Sequence, residues 1–337
     1  TKNCKYSPKF PFFVKGNRKY RHNILDTKRS ISQSHGRIMA GQIFKNSTFT
    51  RSGLNGSEHM DRAETKINRW LDWRARYGFN EWHSNTYLNI NIMTLCNLIE
   101  FAENQTLATK AAMLLDLICF DFANNYYNQE YGVCQSRIYG RNKIGFSSTH
   151  LPNRDEISDA AWILLRLGSK IKGFVGDERA NALATTDKYT PPPILEHIAH
   201  DAKSFHENRE VTGFNIKDGP ALGLSYTEDD LMMFWSTGAI YEEHIAELSL
   251  AFMDKWDISS MSNVPAIPEI LRASAQIRGK NVNEISHEME ELTRGIGLEK
   301  ANTYTYRTPY YQLSGAQDYH KGLGGVQEQI WQATLSN

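Results

Sequence analysis

Apolar residues recur every three or four positions along most of this chain, which is the spacing of an amphipathic helix. From residue 61, Ile67, Trp70, Leu71 and Arg74 share one helical face, and Gly78 ends the run. The same pattern predicts two more helices, over 85–102 and 106–126, which together form a helical hairpin. Further helices are predicted at 157–167, 193–206, 227–236, 238–254, 265–277 and 282–294. The fold class is therefore mainly α.

The two ends of the chain have a different pattern. Residues 1–60 are basic and polar with little periodicity, so we expect an irregular N-terminal arm. Strand signals occur only late, at 301–311 and 325–335, where β-branched and aromatic residues increase. We therefore divide the chain into an arm (1–60), a helical catalytic domain (61–297) and a β-rich segment (298–337) that begins a β-sandwich.

Composition narrows the functional class. Hydrophobic residues make up 40% of the 337 positions, which is ample for a folded core. Acidic and basic residues balance at 38 each, so no overall charge attracts nucleic acid or an anionic membrane, and we predict neither as a partner. No apolar run reaches the roughly 20 residues that span a bilayer. Oligomeric state is not predicted.

The cysteines and the glycosylation motifs give information on the cellular location of the protein. Cys4, Cys96, Cys119 and Cys134 lack metal-site spacing and are too few for a disulfide scaffold, so we expect buried thiols. Three N-x-S/T sequons, at Asn46, Asn55 and Asn104, suit a secreted protein. We expect a secreted or periplasmic location, although such tripeptides also arise by chance.

The segment 78–87, GFNEWHSNTY, concentrates groups that handle protons. If it is helical, Asn80, His83 and Tyr87 lie on one face, and Trp82 offers a flat surface of the kind that stacks on a sugar ring. The alternative is that Asn80 or Ser84 caps a helix and the other side chains pack against its first turn.

A second candidate segment is 135–141, QSRIYGR. In an extended backbone Arg137, Tyr139 and Arg141 project from one side and offer a site for a carboxylate, and positive charge lowers the pKa of a neighbouring tyrosine. The alternative is a solvated loop. The motifs of nucleotide, dinucleotide, serine hydrolase and zinc protease sites are absent from the sequence.

Two histidine clusters are candidate metal sites. His197 and His200 lie beside Asp201, and Glu243, His244 and Glu247 share one helical face. Neither set has a third fixed partner in a recognised ligand pattern, so we interpret both as surface histidines and predict no metal.

Taken in order, GFNEWHSNTY, a helical hairpin and QSRIYGR resemble the catalytic region of chondroitin/alginate lyases, which are (α/α) toroids. The C-terminal residues 304–335 resemble the opening strands of the β-sandwich that follows the toroid there and in heparinase II/III-like proteins. The resemblance implies an (α/α) toroid, or incomplete barrel of helical hairpins, that cleaves an acidic polysaccharide by β-elimination without a cofactor.

That chemistry removes a proton beside a uronate carboxylate, so the developing negative charge must be stabilised by hydrogen-bond donors. The resemblance implies Asn80 and His83 in this role, with Tyr87 or Tyr139 as base and acid, or His83 as the base. Predicted substrate-binding residues are Glu81, Trp82, Arg137 and Arg141. In the family the tyrosine and arginine often lie farther along the toroid, and the alternatives in this sequence are Tyr226, Tyr241 or Arg307.

Two other functions stay open. A glycoside hydrolase on the same barrel needs two carboxylates, for which the candidates are Glu81, Asp155, Glu156, Asp229 and Asp230. A non-catalytic toroid would bind glycans without turnover.

Overall fold

The chain folds into a mainly helical structure with two small antiparallel sheets. The computed structural model describes residues 27–50, 52–127, 130–140, 157–168, 181–201, 205–256, 258, 266–294, 298–319 and 327–336. Within these ranges no helix is both long and apolar enough to cross a membrane.

Four long helices form the first half. They are α1 (Thr27–Ile43), α2 (Gly56–Tyr77), α3 (Leu88–Phe101) and α4 (Gln105–Asn125). The last three match the predicted helices within a few residues, except that α2 begins five residues earlier. Helix α1 packs along α2, so the N-terminal region is not irregular throughout as we had expected.

Asparagine side chains fix where two of these helices begin. The Asn55 side chain accepts a hydrogen bond from the Glu58 backbone, and the Glu58 carboxylate accepts one from the Asn55 backbone, which is a capping box for α2. Asn104 caps α4 by accepting from the Leu107 backbone at 3.2 Å. Two of the three sequons are therefore also helix caps.

Shorter helices follow. They are α5 (Ser158–Leu165), α6 (Asn181–Ala184), α7 (Pro193–Ala199), α8 (Leu231–Trp235), α9 (Ala246–Lys255), α10 (Ile267–Arg278), α11 (Val282–Glu288) and α12 (Glu290–Thr293). The described residues form two large apolar cores and a small one. Helices α1 to α7 contribute to the first large core, and residues 214–289 together with Trp73 of α2 form the second. Cys96, Cys119 and Cys134 are buried free thiols, as predicted.

The strands form a two-stranded hairpin, β1 (Tyr126–Tyr127) with β2 (Glu130–Tyr131), and a four-stranded antiparallel sheet. The order in that sheet is β3 (His206–Thr212), β4 (Ala301–Arg307), β5 (Tyr311–Gln317) and β6 (Trp331–Leu335). Our prediction of a helix through residue 206 and of strands only near the end was therefore wrong. Strand β3 belongs to the predicted helical domain, yet it pairs along its full length with β4.

Candidate active site

The segment 78–87 is a series of turns and not a helix, because α3 begins only at Leu88. Gly78 has φ +66°, and a Cβ atom there would lie 2.5 Å from Thr212 Oγ1, so only glycine allows α2 to end against β3. The predicted single face of Asn80, His83 and Tyr87 is therefore wrong. Each of the three side chains has its own set of partners.

Asn80 is buried and contacts a buried arginine. Arg74 Nη1 donates to Asn80 Oδ1 at 2.7 Å and to the Gly78 carbonyl at 3.1 Å. Among the described residues Asn80 Nδ2 and Arg74 Nε have no hydrogen-bond partner, and both residues line a small recess. The recess is also lined by Trp70, Phe79, Glu81, Asn91 and Ser236.

The Arg74 guanidinium has no carboxylate within ion-pair distance in the described part of the chain, and burial lowers its pKa to about 10. The guanidinium also lies 5.9 Å from the Trp70 ring centroid and 5.7 Å from that of Phe79. Because no carboxylate pairs with this buried charge in the described residues, the recess favours an anion over a cation.

His83 joins three distant parts of the chain. As an imidazolium it donates from Nδ1 to the Cys134 carbonyl at 3.0 Å and from Nε2 to Glu210 of β3 at 2.8 Å, and Nε2 also lies 3.3 Å from Asp121 of α4. Burial opposes protonation, but the Asp121 charge and the hydrogen bonds raise the pKa of His83 well above its usual value. Burial also opposes ionisation of Glu210, yet the hydrogen bond and charge of His83 lower the pKa of that carboxyl to about 2.

Tyr87 and Tyr139 bring the 78–87 segment into contact with the 135–140 segment. The Tyr87 and Tyr139 hydroxyls are 2.5 Å apart, and Arg137 Nη2 donates to the Tyr87 hydroxyl at 3.1 Å. The Arg137 guanidinium lies 4.9 Å from the Tyr87 ring centroid, and its Nε is 3.8 Å from the Glu81 carboxylate. Both tyrosines are half-buried.

We expected positive charge to lower the pKa of the tyrosine, but the pKa of Tyr87 is raised, because burial outweighs the effect of Arg137. The 135–140 segment is also not extended as expected, since Arg137 has φ +50°. His83, at φ +48°, is likewise in the left-handed region, which costs about 1–3 kcal/mol per residue and is typical of functional sites.

Glu81 connects the Arg74 recess to the tyrosine pair, because it lines the recess and also pairs with Arg137. Comparison with known proteins adds nothing to this geometry. No family model, curated protein or solved structure matches the chain.

Trp82 does not offer a surface to a sugar, contrary to our prediction. Its side chain is 1% exposed and packs in a small core with Cys134, Ala301 and Ala316, with the Tyr319 ring 5.4 Å away. Its carbonyl accepts from the Ser136 backbone and hydroxyl at 2.9 and 3.1 Å. Trp82 therefore fixes the 135–140 segment against the 78–87 segment.

The remaining candidates lie elsewhere or cannot be placed. Tyr241 and Arg307 are buried, and the Tyr226 hydroxyl donates to the Ile216 carbonyl. Asp230 is buried and pairs with Arg69. Three predicted residues lie outside the described part of the chain: Arg141, Asp155 and Glu156.

Sequence reasoning missed Arg74, Asp121 and Glu210. The sequence pattern could have identified Arg74, because a charged residue on the apolar face of a predicted helix is unusual. It could also have identified Asp121, since this residue interrupts the apolar run from 111 to 123. It could not have identified Glu210, because strand β3 was not predicted.

Proposed function

We propose that the protein is a polysaccharide lyase that cleaves uronic-acid glycans by β-elimination, with Tyr87 and Tyr139 as its base and acid. The observation that carries the proposal is the 2.5 Å contact between the two hydroxyls beside the Arg137 guanidinium. On this proposal the helical hairpins form an (α/α) toroid and the C-terminal strands begin a β-sandwich.

The tyrosine pair can complete a proton cycle. In the reactive state one hydroxyl is ionised although burial raises the pKa of Tyr87, and Arg137 stabilises the phenolate charge. The phenolate removes the proton beside the uronate carboxylate, the C–O bond to the leaving sugar breaks, and the second phenol protonates the departing oxygen. One proton transfer across the short hydrogen bond then restores the pair.

Arg74 and Asn80 supply the hydrogen-bond donors that the reaction needs to stabilise negative charge on the uronate. Both residues line the recess, and a uronate carboxylate bound against it would gain hydrogen bonds from their N–H groups that strengthen as charge develops. Glu81 borders this recess and pairs with Arg137, which supports a substrate that spans the recess and the tyrosine pair.

The test is incubation with a panel of uronic-acid polysaccharides while the ultraviolet absorbance of the unsaturated product is recorded. We expect the signal from the native protein and its loss, by a factor of about 10²–10⁴, in Tyr87→Phe or Tyr139→Phe. Tyr310→Phe is the matched control, because Tyr310 is 74% exposed and is not part of the site. New reducing ends without absorbance would instead establish the hydrolase, and binding without either signal would establish the non-catalytic protein.

A further inference from the structure

His83, Asp121 and Glu210 form a cluster with the composition of a metal site. Their nearest nitrogen and oxygen atoms all lie within 4.8 Å of one another. His83 Nε2 is 2.8 Å from Glu210 Oε2 and 3.3 Å from Asp121 Oδ1. Ligand atoms bound at about 2.0–2.2 Å to one metal are separated by about 3 Å, so these two contacts have the length of edges of a coordination shell.

The atoms around the cluster orient the three ligands toward one point. The Cys134 carbonyl accepts from His83 Nδ1, which directs Nε2 to the carboxylates. The Tyr131 hydroxyl donates to Asp121 Oδ2 at 2.7 Å, and Asn208 Nδ2 donates to Glu210 Oε1 at 2.6 Å. Metal-binding histidines and carboxylates almost always have such outer partners.

The two atoms nearest His83 also have neighbours: Asp121 Oδ1 accepts from Asn125 Nδ2 at 2.6 Å, and Glu210 Oε2 lies 3.5 Å from Thr303 Oγ1. Each of these oxygens has a second lone pair for a cation.

The charge of the cluster also favours a bound cation. In the described ranges, neither Asp121 nor Glu210 has a lysine or arginine within ion-pair distance, so His83 is their one cationic partner. With His83 protonated, the imidazolium and two carboxylates carry one net negative charge. A divalent cation would displace the Nε2 proton to solvent and leave a neutral site. The His83 side chain is 4% exposed, whereas Asp121 and Glu210 are 22% and 24% exposed. The carboxylates therefore give an ion a path from solvent and leave coordination positions for water.

We infer that His83, Asp121 and Glu210 bind one divalent transition-metal ion, of the Zn²⁺ or Mn²⁺ class, that ties the 78–87 segment to helix α4 and strand β3. One imidazole and two carboxylates suit these metals better than Mg²⁺, which usually retains several waters and binds through one or two carboxylates. The sequence alone led us to predict no metal. The inference does not depend on the proposed lyase, because the tyrosine pair and the Arg74 recess share none of these side chains.

The test is calorimetric titration of the chelator-treated full chain with Zn²⁺ and, separately, Mn²⁺. We expect one equivalent to bind and thermal unfolding to shift to higher temperature. Asp121→Asn and Glu210→Gln keep the side-chain shapes, and each should weaken binding at least tenfold while the circular dichroism spectrum stays native. X-ray absorption should show one histidine nitrogen and oxygens at about 2.0–2.2 Å.

The control is Glu243→Gln, because Glu242, Glu243 and His244 form a second group of potential ligands. This variant should bind as the native chain does. The inference is overturned if neither metal binds, if both amide variants bind as tightly as the native chain, or if Glu243→Gln abolishes binding.

Discussion

Arg74 is a buried cation, and its replacement by methionine tests how much it contributes to the stability of the fold. Burial lowers its pKa from 12.5 to about 10, which corresponds to a cost of about 3 kcal/mol for keeping it charged. Its two hydrogen bonds, to Asn80 Oδ1 and the Gly78 carbonyl, contribute about 1.5–3 kcal/mol each, or about 3–6 kcal/mol together. The difference predicts that Arg74→Met costs only about 0–3 kcal/mol of unfolding free energy.

Leu71→Ala is the matched control, because Leu71 is buried in the same helix, one turn before Arg74. It leaves a cavity in the core and should cost about 2–5 kcal/mol. Urea unfolding measures both. On uronic-acid polymer, Arg74→Met should lose lyase activity while folded Leu71→Ala keeps it. A larger loss of stability for Arg74→Met than for Leu71→Ala would show that the fold depends on Arg74. Full lyase activity of Arg74→Met would show that Arg74 does not bind the substrate.

Three further predictions concern stability. Asn55→Ala removes the capping box of α2 and should cost about 1 kcal/mol in urea unfolding; no change would show that the cap contributes nothing. Gly78→Ala should lower the melting temperature, because its Cβ would lie 2.5 Å from Thr212 Oγ1 at a positive φ, and an unchanged melting temperature would contradict this. Burial opposes ionisation of Asp230, but hydrogen bonds from Ser225 and Arg69 lower its pKa overall, so its stabilisation exists above about pH 4 and is lost as the pH falls through the lowered pKa. Asp230→Asn should therefore destabilise at pH 7 and much less in acid; an equal loss at both pH values would count against the ion pair.

Local patterns were enough to predict the helices but not the site. Helices α2, α3 and α4 follow from apolar periodicity, and the structure confirms a mainly helical chain. The turns of residues 78–87 depend on contacts far away in sequence, such as the Trp82 carbonyl with Ser136. Helical spacing therefore placed Asn80, His83 and Tyr87 on one face that does not exist.

Strand β3 also depends on contacts with residues far away in sequence. Its sequence, HENREVT, has one strongly apolar residue, Val211, which is exposed, so no period of two is visible. The strand forms because its backbone pairs with β4, some 90 residues later. That pairing is also what brings Glu210 to His83, so the missed strand and the missed site residue have one cause.

The proposed lyase breaks its substrate by elimination, and mass spectrometry of the products formed in oxygen-labelled water distinguishes elimination from hydrolysis. Because elimination adds no water, we expect oligosaccharides with an unsaturated terminal uronate and no label, and none from Tyr87→Phe. Products that carry one labelled oxygen and no unsaturation would show that the bond is hydrolysed and that the protein is not a lyase.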